Sequence, residues 1–442
     1  FTIAGCFQNH LWRSIFIFSW GGFIGIRVCT CGRSSDVLLG RFLHIGGKIY
    51  HGFSVFNFKL LRLVSMEVCC MRVIKLEANV VVVPLLKPIS FATRVVTERH
   101  YLLVRILTEC GAEGIGFSYI GNKGGELGLL AVRDLLKEHV LGEACTQVEK
   151  IWENMFKDSL LHGRKGVVMR AISAIDIALW DVSAKLTGLP LYRYLGGDKD
   201  VTIPAYASGG YYSDGKSVSD LEKEVGAYVD MGFSAVKIKV GRLSVEEDSE
   251  RIDAVRSVIG QDAFLFLDVN NAWSDVPNAI NTIRKWEKFN PGWVEEPVMP
   301  DDINASAQIA DAVQIPIATG EIENGRWSFK EILDKKAASI LQTDAGVCGG
   351  ITEWKRIAHM ADGFGISISP HWLADLHVHL VASTPNATWI EYFTDTSILN
   401  IMELFSTNLE LQAGKLVLPD RPGIGIELDR SMVDKYSVSG WK

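Results

Sequence analysis

Between residues 201 and 393, short apolar runs alternate with longer segments in which apolar residues recur every three or four positions. The short runs, for example 235–240 and 263–268, are long enough for one buried strand each. The longer segments have the spacing of amphipathic helices. This alternation predicts repeated βα units and hence a parallel sheet or barrel. The predicted helices cover 218–231, 245–259, 278–289, 305–313 and 351–364.

A different pattern precedes this region. Two β-branched, partly alternating runs at 73–83 and 101–108 predict antiparallel strands, and three glycines mark the turn into a third strand. Helical spacing then occurs at 126–138 and 145–156, followed by an alanine-rich helix at 170–185. The glycines are Gly111, Gly114 and Gly116. We therefore expect a module of α+β type ahead of the βα repeats.

Residues 1–65 differ in character from the rest. They contain seven Lys and Arg but only one acid, Asp36, and nine of the 20 phenylalanines. The apolar stretch 14–26 follows Arg13 in the manner of a signal peptide, but it is shorter than the ~20 residues of a membrane span and no clean cleavage site follows it. We expect an atypical extension over residues 1–70, outside the fold, with the native domain beginning near Met66 or Met71. A genuine targeting segment is the alternative.

Composition narrows the class of protein. Of the 442 residues, 48% are hydrophobic and 22% charged, as is usual for soluble enzymes. A net charge of −7 argues against nucleic-acid binding. The eight cysteines lack the spacing of a disulfide framework or a zinc site. We therefore expect a cytoplasmic protein with reduced thiols and neither nucleic acid nor membrane as partner.

Polar residues follow the predicted strands at regular intervals of 20 to 29 residues. Each therefore occupies the same place in successive βα units. Because the carboxyl ends of parallel barrel strands converge on one pocket, this set predicts an active site spread over half of the chain. Its members are Lys237, Lys239, Asp268, Asn270, Glu295, Glu321, Asp344, His371 and Glu391.

Three consecutive strand ends carry carboxylates: Asp268, Glu295 and Glu321. Converging carboxylates repel one another, and a divalent cation removes that cost. A set of oxygen ligands favours Mg²⁺ over zinc. Any one of these acids taken alone is better explained by a lysine partner or a helix cap, but their regular spacing favours a metal site. Glu296 is expected to point to the opposite face of its strand and to be structural.

Lys237 and Lys239 are two residues apart, so both side chains lie on one face of their strand. A solvated lysine face is the simpler interpretation of that motif alone. Near a metal, however, we expect both lysines to have lowered pKa values, so that one can act as a base.

His371 and Asp344 end consecutive strands, and a carboxylate at its second nitrogen fixes the tautomer of a histidine and makes it more basic. Glu391 closes the ring, and we expect it to be a protonated acid that donates a hydrogen bond to developing negative charge. His377 and His379, on the next helix, are expected to be satisfied core residues.

In this order, the motifs resemble those of the enolase superfamily, specifically its mandelate racemase-like subgroup, over residues 71–442. The resemblance implies a modified TIM (β/α)7β barrel with an α+β capping domain. The implied boundaries are 71–192 for the capping domain, 193–393 for the barrel and 394–442 for a segment that returns to the capping domain. Loops near 88–93 and 117–125 would close over the barrel and select the substrate.

The resemblance also assigns roles to the residues. The Mg²⁺ ligands would be Asp268, Glu295 and Glu321, and Lys239 would be a base opposed by His371 with Asp344. Glu391 and Lys237 would complete the catalytic set, and Lys237 and Asn270 would bind substrate.

The implied chemistry is abstraction of the proton α to a carboxylate, through an enediolate held by Mg²⁺. We favour dehydration of an acid sugar (an aldonate or aldarate) to a 2-keto-3-deoxy acid. Racemisation or epimerisation of a 2-hydroxy acid and cycloisomerisation of a lactone are the alternatives, and a non-catalytic protein on a decayed barrel is disfavoured because no ligand or base is lost. The expected partners are a small carboxylate substrate and further copies of the chain in a homo-oligomer.

Overall fold

The computed structural model describes residues 71–197, 202–396 and 398–442, together with the backbone of four strands in the first 41 residues. These strands form an antiparallel sheet in sequence order. They are β1 (Thr2–Ala4), β2 (Arg13–Trp20), β3 (Phe23–Thr30) and β4 (Arg33–Arg41). The remainder of the predicted extension over residues 1–70 lies outside the described residues.

The capping domain begins with an antiparallel meander of three strands, as the alternating runs predict. The strands are β5 (Val73–Phe91), β6 (Arg94–Thr108) and β7 (Glu113–Gly121). Four helices follow: α1 (Gly125–Ala131), α2 (Val148–Asp158), α3 (Val167–Thr187) and α4 (Leu191–Tyr194). The predicted helix at 126–138 is confirmed only in its first half, because a π-helical turn and a 3₁₀ turn replace it after residue 131.

Helix α3 packs directly on the meander, and glycine makes this possible. A Cβ atom on Gly116 would lie 1.9 Å from the carbonyl oxygen of Ala174, and one on Gly114 would lie 2.2 Å from that of Ala178. Both glycines therefore lie within β7 and not in the turn that precedes it, where the sequence pattern located them. Of the three, Gly111 is the turn residue, with φ +84°.

The second domain is a ring of eight parallel strands. They are β8 (Thr202–Gly209), β9 (Ala235–Lys239), β10 (Phe264–Asp268), β11 (Trp293–Glu295), β12 (Ile317–Thr319), β13 (Ile340–Leu341), β14 (Ser367–Ile368) and β15 (Ile390–Tyr392). Neighbours in sequence are neighbours in the sheet from β8 to β14, and β15 pairs with β8. A parallel bridge between Ile368 and Ala387 joins the remaining edge. This is the expected (β/α)7β barrel.

Seven main helices cover the outside of the ring. They are α5 (Val218–Asp230), α6 (Val245–Ile259), α7 (Val276–Trp286), α8 (Ile303–Ala312), α9 (Gly325–Asp334), α11 (Gly350–Gly363) and α12 (Ala374–Ala382), with a short α10 (Ala345–Cys348) before α11. All five helices predicted from apolar spacing are present, and α6 has the predicted bounds. Among the described residues, no helix combines the length and apolarity that a membrane crossing requires.

Polar contacts fix the capping domain to the barrel at the loop after β13. Asp176 of α3 accepts hydrogen bonds from Thr352 N (3.0 Å) and Thr352 Oγ1 (2.6 Å), and Ser173 Oγ accepts one from Gly349 N (3.0 Å). A Cβ on Gly350 would lie 2.3 Å from Asp176 Oδ2. Any other residue at position 350 would therefore prevent this close approach between α3 and the start of α11. The two domains therefore meet beside the strand end that carries Asp344.

The C-terminal segment contacts both domains. A short hairpin, β16 (Leu411–Gln412) with β17 (Lys415–Val417), adds to β8 at the barrel. After α13 (Arg430–Tyr436), the backbones of Ala78 and Lys442 exchange two hydrogen bonds of 3.0 and 2.9 Å. The last residues thus extend the sheet of the capping domain at β5.

Aromatic rings fill the barrel beneath the polar strand ends. Phe266 and Trp293 stack with their centroids 3.4 Å apart, and Tyr206 packs edge-on against both. Phe266 and Trp293 each precede a site carboxylate by two residues and so lie on the same inward face. The polar residues at the strand ends therefore pack on a layer of aromatic rings, which excludes water from the interior of the barrel.

Candidate active site

The structure brings the three predicted metal ligands together. Asp268 ends β10, Glu295 ends β11, and the two are register partners in the sheet. Glu321 follows β12 by two residues, and one oxygen from each of the three carboxylates lies within 4.8 Å of the others. Asp268 and Glu295 are fully buried, while Glu321 retains some exposure.

The two lysines of β9 lie beside these carboxylates. Lys237 Nζ donates to both oxygens of Glu295, at 2.7 and 3.0 Å, and also lies 2.7 Å from Glu391 Oε1. Lys239 Nζ donates to Asp268 Oδ2. Both lysines are buried, so the positive charges of their ammonium groups are balanced by the neighbouring carboxylates and are not hydrated by solvent.

The neighbouring carboxylates alone act against the predicted lowering of the lysine pKa values. Burial lowers the pKa of Lys237, but Glu295 and Glu391 more than compensate and hold it well above its usual value. Burial also lowers the pKa of Lys239, and Asp268 raises it in the same way. The prediction of lowered values applies to the site with a bound metal and stays a prediction.

Glu391 also differs from its predicted state. Burial raises its pKa, but the positive charges of Lys237 and His371 lower it to about 2. The carboxyl group is therefore ionised at neutral pH and accepts hydrogen bonds. Its Oε2 accepts one from the backbone N–H of Trp372 at 3.0 Å.

His371 and Asp344 form the predicted pair. His371 Nδ1 lies 3.0 Å from Asp344 Oδ2, and Asp344 Oδ1 is occupied by the backbone N–H of Gly346 at 2.7 Å. The other ring nitrogen, Nε2, is directed towards Glu321 Oε2 at 3.5 Å. Burial lowers the pKa of His371, but Glu321 and Asp344 raise it to about 9, so the imidazole is protonated at neutral pH.

The two histidines expected in the core are there. His377 Nδ1 donates to Trp372 O at 2.7 Å, while its Nε2 accepts from Ala345 N at 3.0 Å. His379 likewise accepts from Tyr192 N and donates to Ile424 O. With both nitrogens bonded to backbone, neither ring has a nitrogen left for a substrate, and His377 joins the segments that follow Asp344 and His371.

Five of the eight non-glycine residues with positive φ in the described part of the chain lie where the barrel strands end. They are Asn270 (+47°), Asn271 (+61°), Glu296 (+42°), Trp372 (+55°) and Leu373 (+41°). Such conformations cost free energy and persist where surrounding contacts enforce them, often at functional sites. Asn270 donates its backbone N–H to Asp268 Oδ1 at 2.9 Å, which helps to fix that carboxylate.

Glu296 follows the last residue of β11 and has a positive φ of +42°. It lines a narrow gap with Ile303 and Ser306 of α8 and Ile332 of α9, on the helix side of the sheet as expected. Both carboxylate oxygens are buried and have no hydrogen-bond partner within the described part of the chain. Burial and the nearby charges of Glu321 and Asp268 raise its pKa well above the usual range.

The β5–β6 hairpin of the capping domain covers Lys239. The backbones of Ser90 and Tyr212 exchange hydrogen bonds of 3.2 and 3.1 Å, which fasten the tip of the β5–β6 hairpin to the loop after β8. Lys239 Nζ lies 5.9 Å from the ring centroid of Phe91 and 5.1 Å from that of Tyr211. The predicted loop at 88–93 is thus largely the end of a hairpin, and it covers the site.

A second group of cap residues contacts the His371 side, partly from the segment 117–125 that was expected to close over the barrel. Tyr119 of β7 packs on Trp372 with centroids 4.8 Å apart. Arg99 of β6 lies over both rings, 4.4 Å from the centroid of Trp372. Its guanidinium also donates to Ile398 O at 3.1 Å. The end of β7 thus lies beside His371, through the contact of Tyr119 with Trp372.

The arrangement provides groups for proton transfer and ligands for a cation. Lys239 contacts the first carboxylate of the triad, Asp268, and His371 approaches the third, Glu321, so two proton-carrying groups flank the carboxylates from different sides. Carboxylates outnumber the cations in contact with them, and this donor set of hard oxygens fits a divalent cation such as Mg²⁺.

Two family models match the chain. The first, "Mandelate racemase / muconate lactonizing enzyme, N-terminal domain", matches residues 75–196. The second, "Enolase C-terminal domain-like", matches residues 220–432. The matched segments correspond to the capping domain and to the barrel with most of the C-terminal segment.

Individual relatives agree with these models. Arabinonate dehydratase of Saccharolobus solfataricus is 37% identical over 70% of this chain and 83% of its own length. L-talarate/galactarate dehydratase of Salmonella typhimurium is 35% identical over 78% of this chain and 86% of its own. A racemase of Streptomyces coelicolor, crystallised with bound magnesium, superposes with a TM-score of 0.78 at 30% identity, over 83% of this chain and 100% of its own.

Proposed function

The chain belongs to the mandelate racemase/muconate lactonizing enzyme family of the enolase superfamily, and on that basis we propose that it dehydrates an acid sugar to a 2-keto-3-deoxy acid. One observation carries the proposal: Lys239 and His371 flank the carboxylate triad from different sides. Dehydration needs a base at the α-carbon and an acid at the β-hydroxyl, and this pair provides both.

We assign the triad of Asp268, Glu295 and Glu321 as the Mg²⁺ ligands. Bound Mg²⁺ supplies positive charge that stabilises the substrate carboxylate as negative charge develops on it, and the same charge opposes protonation of a lysine beside Asp268. The protein contributes three carboxylates at consecutive strand ends, two of them fixed by a neighbour. Lys237 holds Glu295, and the backbone of Asn270 holds Asp268.

The proton transfers follow from the positions of the two flanking groups. Lys239, in its neutral form, takes the proton from the carbon next to the carboxylate. His371, in its protonated form, gives its proton to the β-hydroxyl, whose C–O bond breaks to release water. The resulting enol tautomerises to the 2-keto-3-deoxy acid. Asp344 keeps His371 in the tautomer that presents Nε2 to the site.

The remaining site residues have supporting roles in this proposal. Lys237 binds the substrate carboxylate and balances Glu295 and Glu391. Asn270 has a buried side-chain oxygen without a partner in the described structure, and this oxygen can accept a hydrogen bond from a substrate hydroxyl. Glu391 orients the Trp372 backbone and holds Lys237.

Racemisation or epimerisation is the second candidate function, and the same observation favours it. If the second group protonates the opposite face of the α-carbon instead of a leaving hydroxyl, the product is the epimer. The two reactions use the same residues and differ in the substrate.

A library of acid sugars incubated with the Mg²⁺-loaded protein tests the proposal. Formation of 2-keto acid together with α-proton exchange in D₂O supports dehydration, and exchange with epimer formation alone supports the second candidate. Absence of both for every acid sugar would contradict both functions. The homo-oligomer, the cytoplasmic location and the absence of nucleic-acid partners stay predictions.

A further inference from the structure

Glu321 is the carboxylate of the triad that depends most on its loop. Within the described part of the chain, no lysine and no backbone N–H group holds it, in contrast to Asp268 and Glu295. It lies in the loop of residues 320–324, which connects β12 to α9, and its side chain is 12% exposed. The contacts of this loop therefore decide where the third oxygen ligand lies.

The last residue of the loop, Asn324, is the N-cap residue of α9, yet its side chain does not cap that helix. An asparagine at this position usually accepts a hydrogen bond from an N–H group in the first turn of its own helix. Here Glu353 of α11 accepts the N–H of Arg326, the second residue of α9, at 2.6 Å. The carboxylate of Glu353 thus does the capping, and the amide of Asn324 is free to bind elsewhere.

The amide of Asn324 joins the loop to the capping domain. Its Oδ1 accepts a hydrogen bond of 2.8 Å from the backbone N–H of Gly166, the residue that precedes the first turn of α3. Its Nδ2 donates to the carbonyl oxygen of Ile322 at 2.6 Å. Ile322 directly follows Glu321, and Asn324 is buried. One side chain therefore connects the backbone beside a metal ligand to the start of a cap helix.

Further contacts bring α3 against the same side of the barrel. Lys165, just before the helix, lies with its Nζ 3.8 Å from Glu323 Oε2 in the loop after β12. Ser173 and Asp176, further along α3, bind the segment that follows β13. The helix thus contacts the segments that follow two consecutive barrel strands, so its docking constrains both of them.

We infer that Asn324 is a positioning residue through which the docking of α3 on the barrel sets the affinity of the triad for Mg²⁺. This inference rests on the proposed function, because it takes Glu321 as a ligand of the cation. Residues that hold metal ligands in place typically change metal affinity by 10- to 100-fold when they are replaced. Because coupling between two binding events is reciprocal, a cation at the triad should also stabilise the contact between Asn324 and Gly166.

The first test is a calorimetric titration of the full-length protein with Mg²⁺. Asn324→Ala should lower the affinity for Mg²⁺ about tenfold. The melting temperature of the metal-free protein should change little, because Glu353 still caps α9. Asn304→Ala is the matched control, since it removes an asparagine that accepts a hydrogen bond from Lys335 on the exposed face of α8. This variant should bind Mg²⁺ as the wild type does.

The second test is hydrogen exchange at the amide of Gly166, which reports its hydrogen bond to Asn324 directly. Addition of Mg²⁺ should slow this exchange about tenfold in the wild type and leave it unchanged in Asn324→Ala. Asn324→Asp keeps an acceptor oxygen and should retain the protection. The amide of Gly142, which binds Val73 O at 2.9 Å within the capping domain, reports general stabilisation and should respond much less. Since the wild type alone answers this question, the test stands even if Asn324→Ala is unstable.

The outcomes separate this inference from the proposed function. Equal Mg²⁺ affinity in the wild type and Asn324→Ala, or exchange at Gly166 that Mg²⁺ does not slow, would overturn the role of Asn324 and leave the proposed function standing. Absence of turnover with every acid sugar would contradict the proposed function, while a weaker Mg²⁺ affinity in Asn324→Ala would still support the role of Asn324. A wild type that binds no Mg²⁺ would overturn both.

Discussion

Trp372 stacks face to face with His371, with ring centroids 5.3 Å apart and planes inclined by only 8°. The backbone N–H of Trp372 donates to Glu391 Oε2, and the guanidinium of Arg99 lies over the indole. Trp372 thus contacts Glu391 of the last barrel strand through its backbone, and its indole links an arginine of the cap to the imidazole. Its position fixes the plane in which His371 transfers a proton.

Replacing this indole should slow the reaction without removing any reacting group. We expect Trp372→Ala to lower kcat by roughly 10- to 100-fold, with little change in KM, because a small displacement of an acid/base group is costly. Trp372→Phe keeps an aromatic face and should retain most of the activity. Steady-state kinetics on both variants, with melting temperatures as a control for folding, distinguish this role from general destabilisation. Equal losses in the two variants would contradict it.

The two flanking groups should divide the reaction between them. Lys239→Ala should abolish α-proton exchange in D₂O for substrates whose proton faces Lys239. His371→Asn should preserve that exchange while dehydration falls by about 10²–10⁴-fold, the range for a lost acid/base group. Asp344→Asn should resemble the histidine variant in milder form. Reversed phenotypes would exchange the roles, whereas turnover near that of the wild type in either single variant would refute a reaction with two groups.

Removal of divalent cations should abolish turnover and leave the fold intact. The ligand side chains are already positioned by Lys237, Lys239 and backbone N–H groups, so the barrel does not need a cation to form. Chelator-treated protein should keep its circular dichroism spectrum and regain activity when Mg²⁺ is added. Glu295→Gln should remain inactive at any Mg²⁺ concentration. Activity in excess chelator would disprove the assignment.

Asp375 should make the stability of the protein fall as the pH rises. Burial raises its pKa from 3.8 to about 6, and one of its oxygens has no partner in the described structure. The folded protein therefore keeps a proton that the unfolded chain releases. This contribution to stability is fully present below pH 3.8 and is lost as the pH rises through 6.

The neutral variant Asp375→Asn removes this dependence. Relative to the wild type it should gain up to about 3 kcal/mol at pH 7.5, or roughly 3–6 °C in melting temperature, and much less at pH 4. Melting curves at the two pH values provide the measurement, with Asp362→Asn, an exposed position, as the control. A gain of the same size at both pH values would indicate that ionisation of Asp375 is not the cause.

Patterns of period two and near 3.6 were enough to predict the meander, five barrel helices and the strand ends that carry the site. Helix α6 has the predicted bounds because a capping box, formed by Ser244 and Glu247, marks its start and Gly260 its end. The triad could be predicted because Asp268, Glu295 and Glu321 occupy equivalent positions in a repeated unit. Position in a repeat is a property of the sequence alone.

The charge states could not be predicted in the same way. They depend on which groups face one another across the barrel, such as Lys237 and Glu391, which are 154 residues apart. The positive φ of Glu296 is one that a glutamate rarely adopts, and no local pattern predicts it. The contact of Arg99 with Trp372 arises only when the cap docks on the barrel.

Closure of the ring by pairing of β8 with β15 also sets the order in which the site can form during synthesis. Strand β8 ends at residue 209 and β15 at residue 392, so 183 residues must emerge from the ribosome before the two can meet. At typical translation rates this takes roughly 10–40 s. Until then, Lys237 lacks its contact with Glu391 and the edge of β8 is open. A nascent chain at this stage is therefore a natural client for chaperones that cover unpaired strand edges.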